Sequence, residues 1–118
     1  MADAVDTKRY DFFGLPVDAL TRDEALACVA ELARTPEPSH VLFLNVDVMV
    51  KADRNPELKR AIEHSGLSLM DGKPPLKVAQ RRGIPLPEKV SGSDFVPAVC
   101  AMAEREGLSV FILGGKEG

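Results

Sequence analysis

The sequence has no tryptophan and one tyrosine, and its 15 Lys and Arg residues are outnumbered by 18 Asp and Glu, leaving a net charge of −3. Such a chain has neither the basic surface that neutralises phosphates nor the aromatic faces on which bases stack, so nucleic acid is not expected as a partner. Cysteine is scarce: Cys28 and Cys100 each lie among apolar helix-like neighbours, far from a second Cys or a cluster of His. That arrangement argues against a metal site or redox pair, and both read as buried free thiols in a reducing cytoplasm. His40 and His64 stand apart from other ligand-type residues and are assigned neither to metal nor to catalysis. Also missing is any apolar run near the roughly 20 residues that cross a bilayer. The amino end, "MADAVDTKRYDFFG", lacks the apolar region of a signal peptide, so the chain reads as soluble.

What is present is an alternation of short apolar runs with amphipathic stretches. The 118 residues, 45% hydrophobic and 28% charged, suit one α/β domain spanning residues 1 to 118. "YDFFGLPVDAL" reads as a short strand, a turn at Gly14 and a second short stretch around Val17. In "TRDEALACVAELAR", Thr21 and Glu24 form the pattern of a capping box. The helix that follows is expected to bury Leu26, Val29, Ala30 and Ala33. "HVLFLN", residues 40 to 45, is continuously apolar, as in a strand covered on both faces of a parallel sheet. A helix over "VDVMVKAD" comes next, then one opened by Asn55 and Pro56, with Leu58, Ala61 and Ile62 inward and Gly66 beyond its end. "LSLM" is another buried strand, residues 74 to 82 are helical from a Pro pair, and "IPLPEKVSG" is extended. In the helix "SDFVPAVCAMAEREG", Phe95, Val99, Met102 and Ala103 face inward and Pro97 is expected near the first turn, where its missing N–H is tolerated. "LSVFILGG" reads as a strong final strand.

Strands alternating with helices predict a Rossmann-like fold with a mostly parallel sheet flanked by helices. Ligands in such sheets collect at the carboxyl ends of the strands, which here carry Asn45, Asp71-Gly72 and Gly114-Gly115. The runs 40 to 45, 67 to 70 and 108 to 113 are therefore expected to be neighbouring parallel strands, with Asn45, Asp71 and Gly114 on one rim. Each residue also has a structural explanation: Asn45 as a helix N-cap, Asp71 as the cap of an Asp-Gly turn, and Lys89 as a solvated surface lysine.

From "FLNVDVMVKAD" to "SVFILGG" the chain resembles the amino-terminal part of the WecG/TagA/CpsF glycosyltransferases. In that family an Asn after one strand, an Asp-Gly after the next, a "G.PL.ERV.G.D" segment and a "VF.LGG" strand occur in this order. The resemblance covers roughly residues 10 to 118. It implies inverting transfer of an N-acetylmannosamine-type sugar from a UDP donor to a polyprenyl-diphosphate-linked saccharide, in cell-surface polysaccharide or teichoic-acid linkage synthesis. Carried over residue by residue, it makes Asp71 the general base that accepts the proton of the attacking hydroxyl. Asn45, with Gly72 beside the base, would belong to the substrate pocket. Lys89, where the family often has Arg, would stabilise the departing diphosphate, although Lys lacks the planar fork of Arg. Gly114 and Gly115 would let the backbone approach the nucleotide. No metal or resident cofactor is expected; the UDP-sugar is a substrate.

Three departures from the family pattern stand out: this Lys for Arg, Phe43 where members carry Thr, and Lys73 with Pro74-Pro75 after the Asp-Gly. The "GSD" of residues 92 to 94 reads as a loop and helix start, with Ser93 or Asp94 as its N-cap. Lys77, Arg81 and Arg82 share one helical side, most simply a solvated face but one that can meet anionic headgroups beside a lipid acceptor. The resemblance also implies a continuation beyond "VFILGG". The chain is thus expected to be an amino-terminal half, inactive alone and either a homo-oligomer that covers the surface around Val110 to Leu113 or a marginally stable monomer, in the cytoplasm and peripheral at the inner face of the membrane. The alternatives are a nonenzymatic nucleotide- or partner-binding module and a nucleotide-dependent oxidoreductase half; the latter would want a Gly-x-Gly-x-x-Gly, which "FFGLPVDAL" lacks.

Overall fold

The structure is a computed structural model, and it describes residues 9 to 111. The chain opens with β1 (Arg9–Phe12) and β2 (Leu15–Asp18), an antiparallel hairpin with Arg9 opposite Asp18. Both turn residues have positive φ, Phe13 at 53° and Gly14 at 85°, which matches the twist of a tight hairpin but is unusual for a phenylalanine.

Helix α1 (Arg22–Arg34) begins with the expected capping box: the Glu24 amide donates to Thr21 Oγ1 at 3.1 Å, and the Thr21 amide donates to Glu24 Oε1 at 2.9 Å. Its buried residues are Ala25, Cys28 and Ala30, whereas Ala33 is exposed. The inward stripe is thus rotated from the expected one, because α1 packs against both β4 and α5 and these neighbours decide which side chains are covered.

β3 (Val41–Leu44) leads into α2 (Val46–Arg54) and then α3 (Pro56–Glu63), and β4 (Leu67–Met70) leads into α4 (Lys73–Arg81). Asn55 caps α3 by accepting from Glu57 and Leu58, with Pro56 at the start as its fixed φ favours. Leu58 is partly buried and Ile62 buried, but Ala61 faces solvent. β3 and β4 pair in parallel, with Leu44 opposite Met70.

Alternation along the two strands divides the core between two faces. On one face Leu42, Leu44 and Met70 pack with Ala52, Ile62 and Ala79 of α2 to α4 and with Phe12, Leu15 and Val17 of the hairpin. On the other, Val41, Phe43, Leu67 and Leu69 meet Leu20, Ala25 and Cys28, together with Phe95 and Val99 of α5 (Gly92–Glu106). Helices therefore cover both sides of the parallel pair, as the apolar runs required.

The described residues form a mixed α/β fold with one parallel and one antiparallel pair, not a continuous, mostly parallel sheet. The hairpin joins β4 through side chains: the Ser68 amide donates to Asp18 Oδ2 at 2.8 Å, and Ser68 Oγ to the Pro16 carbonyl at 2.8 Å. Asp18, 2% exposed, also takes two hydrogen bonds from Arg9 at 2.8 Å each. This bidentate contact holds the guanidinium above its ordinary pKa, so Arg9 stays charged.

Three expectations toward the carboxyl end need correction. Pro97 is the sixth residue of α5, one turn later than expected; its missing N–H concerns the carbonyl of exposed Ser93, which can turn to water. α5 has Ser91 as N-cap, and neither Ser93 nor Asp94 fills that role. Residues 108 to 111 carry no strand. Gly107, at φ 71°, ends α5 in a left-handed conformation, and the Leu108 amide turns back to the Ala103 carbonyl at 2.8 Å. The chain here closes a helix instead of pairing with a sheet, leaving Phe111 86% exposed. Gly114, Gly115 and the rest of that expected strand lie outside the described residues.

Candidate functional site

The parallel register sets Asn45 and Asp71 immediately beyond paired residues, at the carboxyl ends of adjacent strands. The Asp71 amide donates to the Leu44 carbonyl at 2.8 Å, which extends the pairing by one step. On the opposite side of the same peptide unit, the Met70 carbonyl accepts from the Val90 amide at 2.7 Å. The backbone that carries the carboxylate is thus clamped between β3 and the extended segment before α5. Sequence periodicity gave no sign of this second clamp, since residues 84 to 91 have no regular hydrogen-bonding pattern.

Asp71 is partly exposed, and among the described residues its carboxylate takes no hydrogen bond and forms no ion pair. It does not cap α4. The N-cap is Gly72, at φ 110°, with no side-chain cap, and Pro74 and Pro75 supply the helix entry. A glycine suits this turn because L side chains rarely adopt such a φ. Asn45 does cap its helix: Oδ1 accepts from the Val48 amide at 2.8 Å, leaving the amide nitrogen as its available donor.

Lys89 is exposed and lines a cavity of about 360 Å³ between the amino ends of α1 and α5. Asp23, Glu88, Asp94 and Arg22 line the same cavity, so acids outnumber cations there, and neither Asn45 nor Asp71 is in its wall. The Arg22 amide donates to Glu88 Oε2 at 2.6 Å, using one of the free α1 amides that would otherwise attract an anion. The structure therefore brings Asn45 and Asp71 together, with Gly72 beside the base, while Lys89 reaches this rim only through the backbone bond of its neighbour Val90. Beneath the rim, Phe43 stacks edge-on against Phe95 with ring centres 5.9 Å apart, and Gly92 lies against the Phe43 ring.

Of the two cysteines, Cys28 is buried and Cys100 only partly so, which corrects the expectation that both are enclosed; both are free. Burial, with a smaller contribution from Asp18, pushes the Cys28 thiol above its ordinary pKa, the opposite of what an activated nucleophile requires.

A larger, mainly apolar groove of about 540 Å³ opens beside the rim, between the hairpin turn, α2 and the start of α4. Its walls include Phe13, Val46, Val50, Pro74 and Val78. This groove was not anticipated from the sequence; the adjacent Phe12 and Phe13 before Gly14 are a local signal that could have pointed to it. No helix among the described residues is long and apolar enough to cross a membrane.

Comparison with curated proteins finds no match. The family model for the glycosyl transferase WecG/TagA/CpsF family matches residues 10–118, which includes both strands, their rim residues and the segment that clamps Asp71. With nearly the whole chain matched, this protein belongs to the WecG/TagA/CpsF glycosyltransferase family.

Proposed function

We propose that the protein takes part in transfer of an N-acetylmannosamine-type sugar from a UDP donor to a polyprenyl-diphosphate-linked saccharide at the membrane surface, with inversion at the anomeric carbon. Asp71 is the general base. The observation that carries this reading is a partly exposed carboxylate, unpaired among the described residues, on a peptide clamped by Leu44 and Val90. A proton acceptor needs both properties: a lone pair not already committed, and a fixed position from which to take the proton as the acceptor oxygen attacks.

In the proposed reaction the acceptor hydroxyl gives its proton to Asp71 as its oxygen forms the new bond to the anomeric carbon. The bond to the UDP oxygen breaks on the opposite face, and the electron pair leaves with the diphosphate. Asn45, with Oδ1 engaged in its helix cap, directs its amide nitrogen as a donor toward sugar oxygens. Gly72 keeps the backbone beside the base narrow. For Lys89 to give positive charge to the departing diphosphate, the diphosphate would extend from the rim toward the neighbouring cavity that Lys89 lines, with Gly114 and Gly115 letting the nucleotide approach the backbone. No resident metal or cofactor enters this scheme, in which the protein acts as a peripheral enzyme of the cytoplasmic membrane face, in cell-wall or surface-polysaccharide synthesis.

The test is Asp71→Asn in the protein assayed with a UDP-N-acetylmannosamine-type donor and a detergent-dispersed polyprenyl-diphosphate acceptor. Turnover is expected to fall by roughly a hundredfold or more with an unchanged unfolding midpoint, because the amide keeps the shape but cannot accept the proton. Unchanged turnover would overturn the assignment.

A further inference from the structure

We propose that Glu88 is a positioning residue for the base, fixing Asp71 through the segment before α5 that clamps its peptide. This rests on the assignment of Asp71 as the base and names what keeps it in place. Among the described residues the Asp71 carboxylate takes no hydrogen bond, so no side-chain partner aims it and its position follows the backbone beneath it. That backbone is the peptide unit joining Met70 to Asp71, held by Leu44 on one side at 2.8 Å and by Val90 on the other at 2.7 Å. The Leu44 contact continues the pairing of β3 with β4, whereas the Val90 contact is only as firm as the segment that delivers it.

Residues 84 to 91 belong to no helix or strand, so no ladder fixes them. Ile84, Leu86 and Val90 are buried and the residues between them are exposed, the alternation of an extended chain. Glu88 occupies the third position of that inward series, where it sets a carboxylate against the start of α1 in place of an apolar side chain. The ends of the stretch from Leu86 to Val90 have their own ties: Gln80 Nε2 donates to the Leu86 carbonyl at 2.8 Å, and Val90 packs in the core with Leu20, Leu69 and Phe95. Between those ends, the bond from the Arg22 amide to Glu88 Oε2 at 2.6 Å is the one hydrogen bond among the described residues.

The direction of support follows from α1. Its amino end is already closed by the Thr21 and Glu24 box and anchored by buried Ala25, so the helix start does not depend on a residue 66 positions away. The Arg22 amide is one of the unpaired donors that every helix start presents, at the positive end of the helix dipole, and an ionised carboxylate meets it in a charge-assisted bond. α1 is therefore the fixed body and the loop is what is held. The contacts run from Arg22 through Glu88 and Val90 to the peptide of Asp71, so slack at Glu88 passes to the base. Misplacing a reacting group by about 1 Å can cost up to roughly a hundredfold in rate.

The test uses Glu88→Ala and Glu88→Gln, each alone and combined with Asp71→Asn, in the same transfer assay. At a temperature where the variant is fully folded, Glu88→Ala is expected to lower kcat about tenfold while KM for donor and acceptor stays within about threefold. Glu88→Gln keeps a side-chain oxygen for the Arg22 amide and should recover most of the loss. In the Asp71→Asn background Glu88→Ala should have little further effect, because both changes act through one group. Native-state amide exchange supplies a readout apart from turnover: Glu88→Ala should speed exchange at Val90 by about tenfold relative to Leu69, whereas a general loss of stability would speed both alike. Parent-like kcat in Glu88→Ala, a loss confined to KM, a full further loss in the Asp71→Asn background, or equal acceleration at Val90 and Leu69 would each overturn the proposal. Failure of the base assignment is read separately, from unchanged turnover in Asp71→Asn alone, and would remove this proposal with it.

Discussion

The Asp71 amide donates to the Leu44 carbonyl at 2.8 Å, and this single bond sets the proposed base beside the residue that follows Leu44, Asn45. The two residues nevertheless differ in what holds their side chains. Asn45 is engaged in a helix cap, whereas the carboxylate of Asp71 has no such duty among the described residues.

That contrast separates structure from chemistry at Asn45. Asn45→Ala is expected to cost about 1 kcal/mol through loss of the α2 cap, whereas Asn45→Ser keeps a capping oxygen and should cost only a few tenths. If the amide nitrogen contacts substrate, both variants lose activity to a similar degree. Denaturant unfolding together with sugar transfer checks this, and full activity in the Ser variant would leave Asn45 with the cap alone.

Gly72→Ala should destabilise the protein by about 1–2 kcal/mol, because φ 110° is strained for any residue with a Cβ. Space is not the obstacle: an added methyl would stand 3.4 Å from Pro75 Cγ, an ordinary contact. Activity is expected to fall further than stability at a temperature where the variant is fully folded, since relief of the strain moves the backbone beside Asp71. Thermal unfolding and transfer assays at that temperature measure both effects.

Asp18→Ala should cost about 2–4 kcal/mol, because Arg9 loses its bidentate partner and the buried Ser68 amide loses its acceptor. Asp18→Asn should recover part of this, as its side-chain oxygen can still accept from Ser68. Urea unfolding of the three proteins gives the order, and an Ala variant as stable as the parent would remove this network from the account of the fold.

Cys28 supplies a dependence on pH. Its thiol is raised on folding, chiefly by burial and then by Asp18, so the unfolded chain ionises first as pH rises. The contribution to stability is complete below the ordinary thiol pKa of about 8.5 and is lost progressively above it. Unfolding midpoints followed through the alkaline range should fall less steeply in Cys28→Ala than in the parent. Mass spectrometry after alkylation in the native state should find Cys100 modified before Cys28, and the reverse order would contradict the burial of Cys28.

Much of this architecture was legible in the sequence because local chemistry specified it. Thr21 with Glu24 and Asn55 with Pro56 are self-contained helix starts, and the apolar runs containing Val41–Leu44 and Leu67–Met70 demanded cover on both faces. Asn45 and Asp71 came together on one rim for the same reason. What escaped the sequence reading depends on partners distant along the chain. Ala33 and Ala61 fit an inward stripe but have no neighbour to cover them, and residues 108 to 111 are apolar enough for a strand but find no paired edge among the described residues. Lys89 occupies the expected segment, yet its cavity wall comes partly from α1, which no local spacing could reveal.

The side-chain seam between the hairpin and β4 has a dynamic consequence. A backbone ladder fails one rung at a time, but β2 is tied to β4 by one aspartate and one serine, so release of Ser68 from Asp18 and Pro16 frees this attachment in a single step. Opening the hairpin also exposes Phe12, Leu15 and Val17, so the cost is set by their core burial, while the backbone pairing of Val41–Leu44 with Leu67–Met70 is kept. Native-state amide exchange would register this as an opening shared by Ser68 and the hairpin amides, at lower free energy than the opening of Leu69 and Met70. Phe12, Phe13 and Leu15 belong to the groove wall, so such an opening would take the groove apart while the rim holding Asn45 and Asp71 keeps its backbone register.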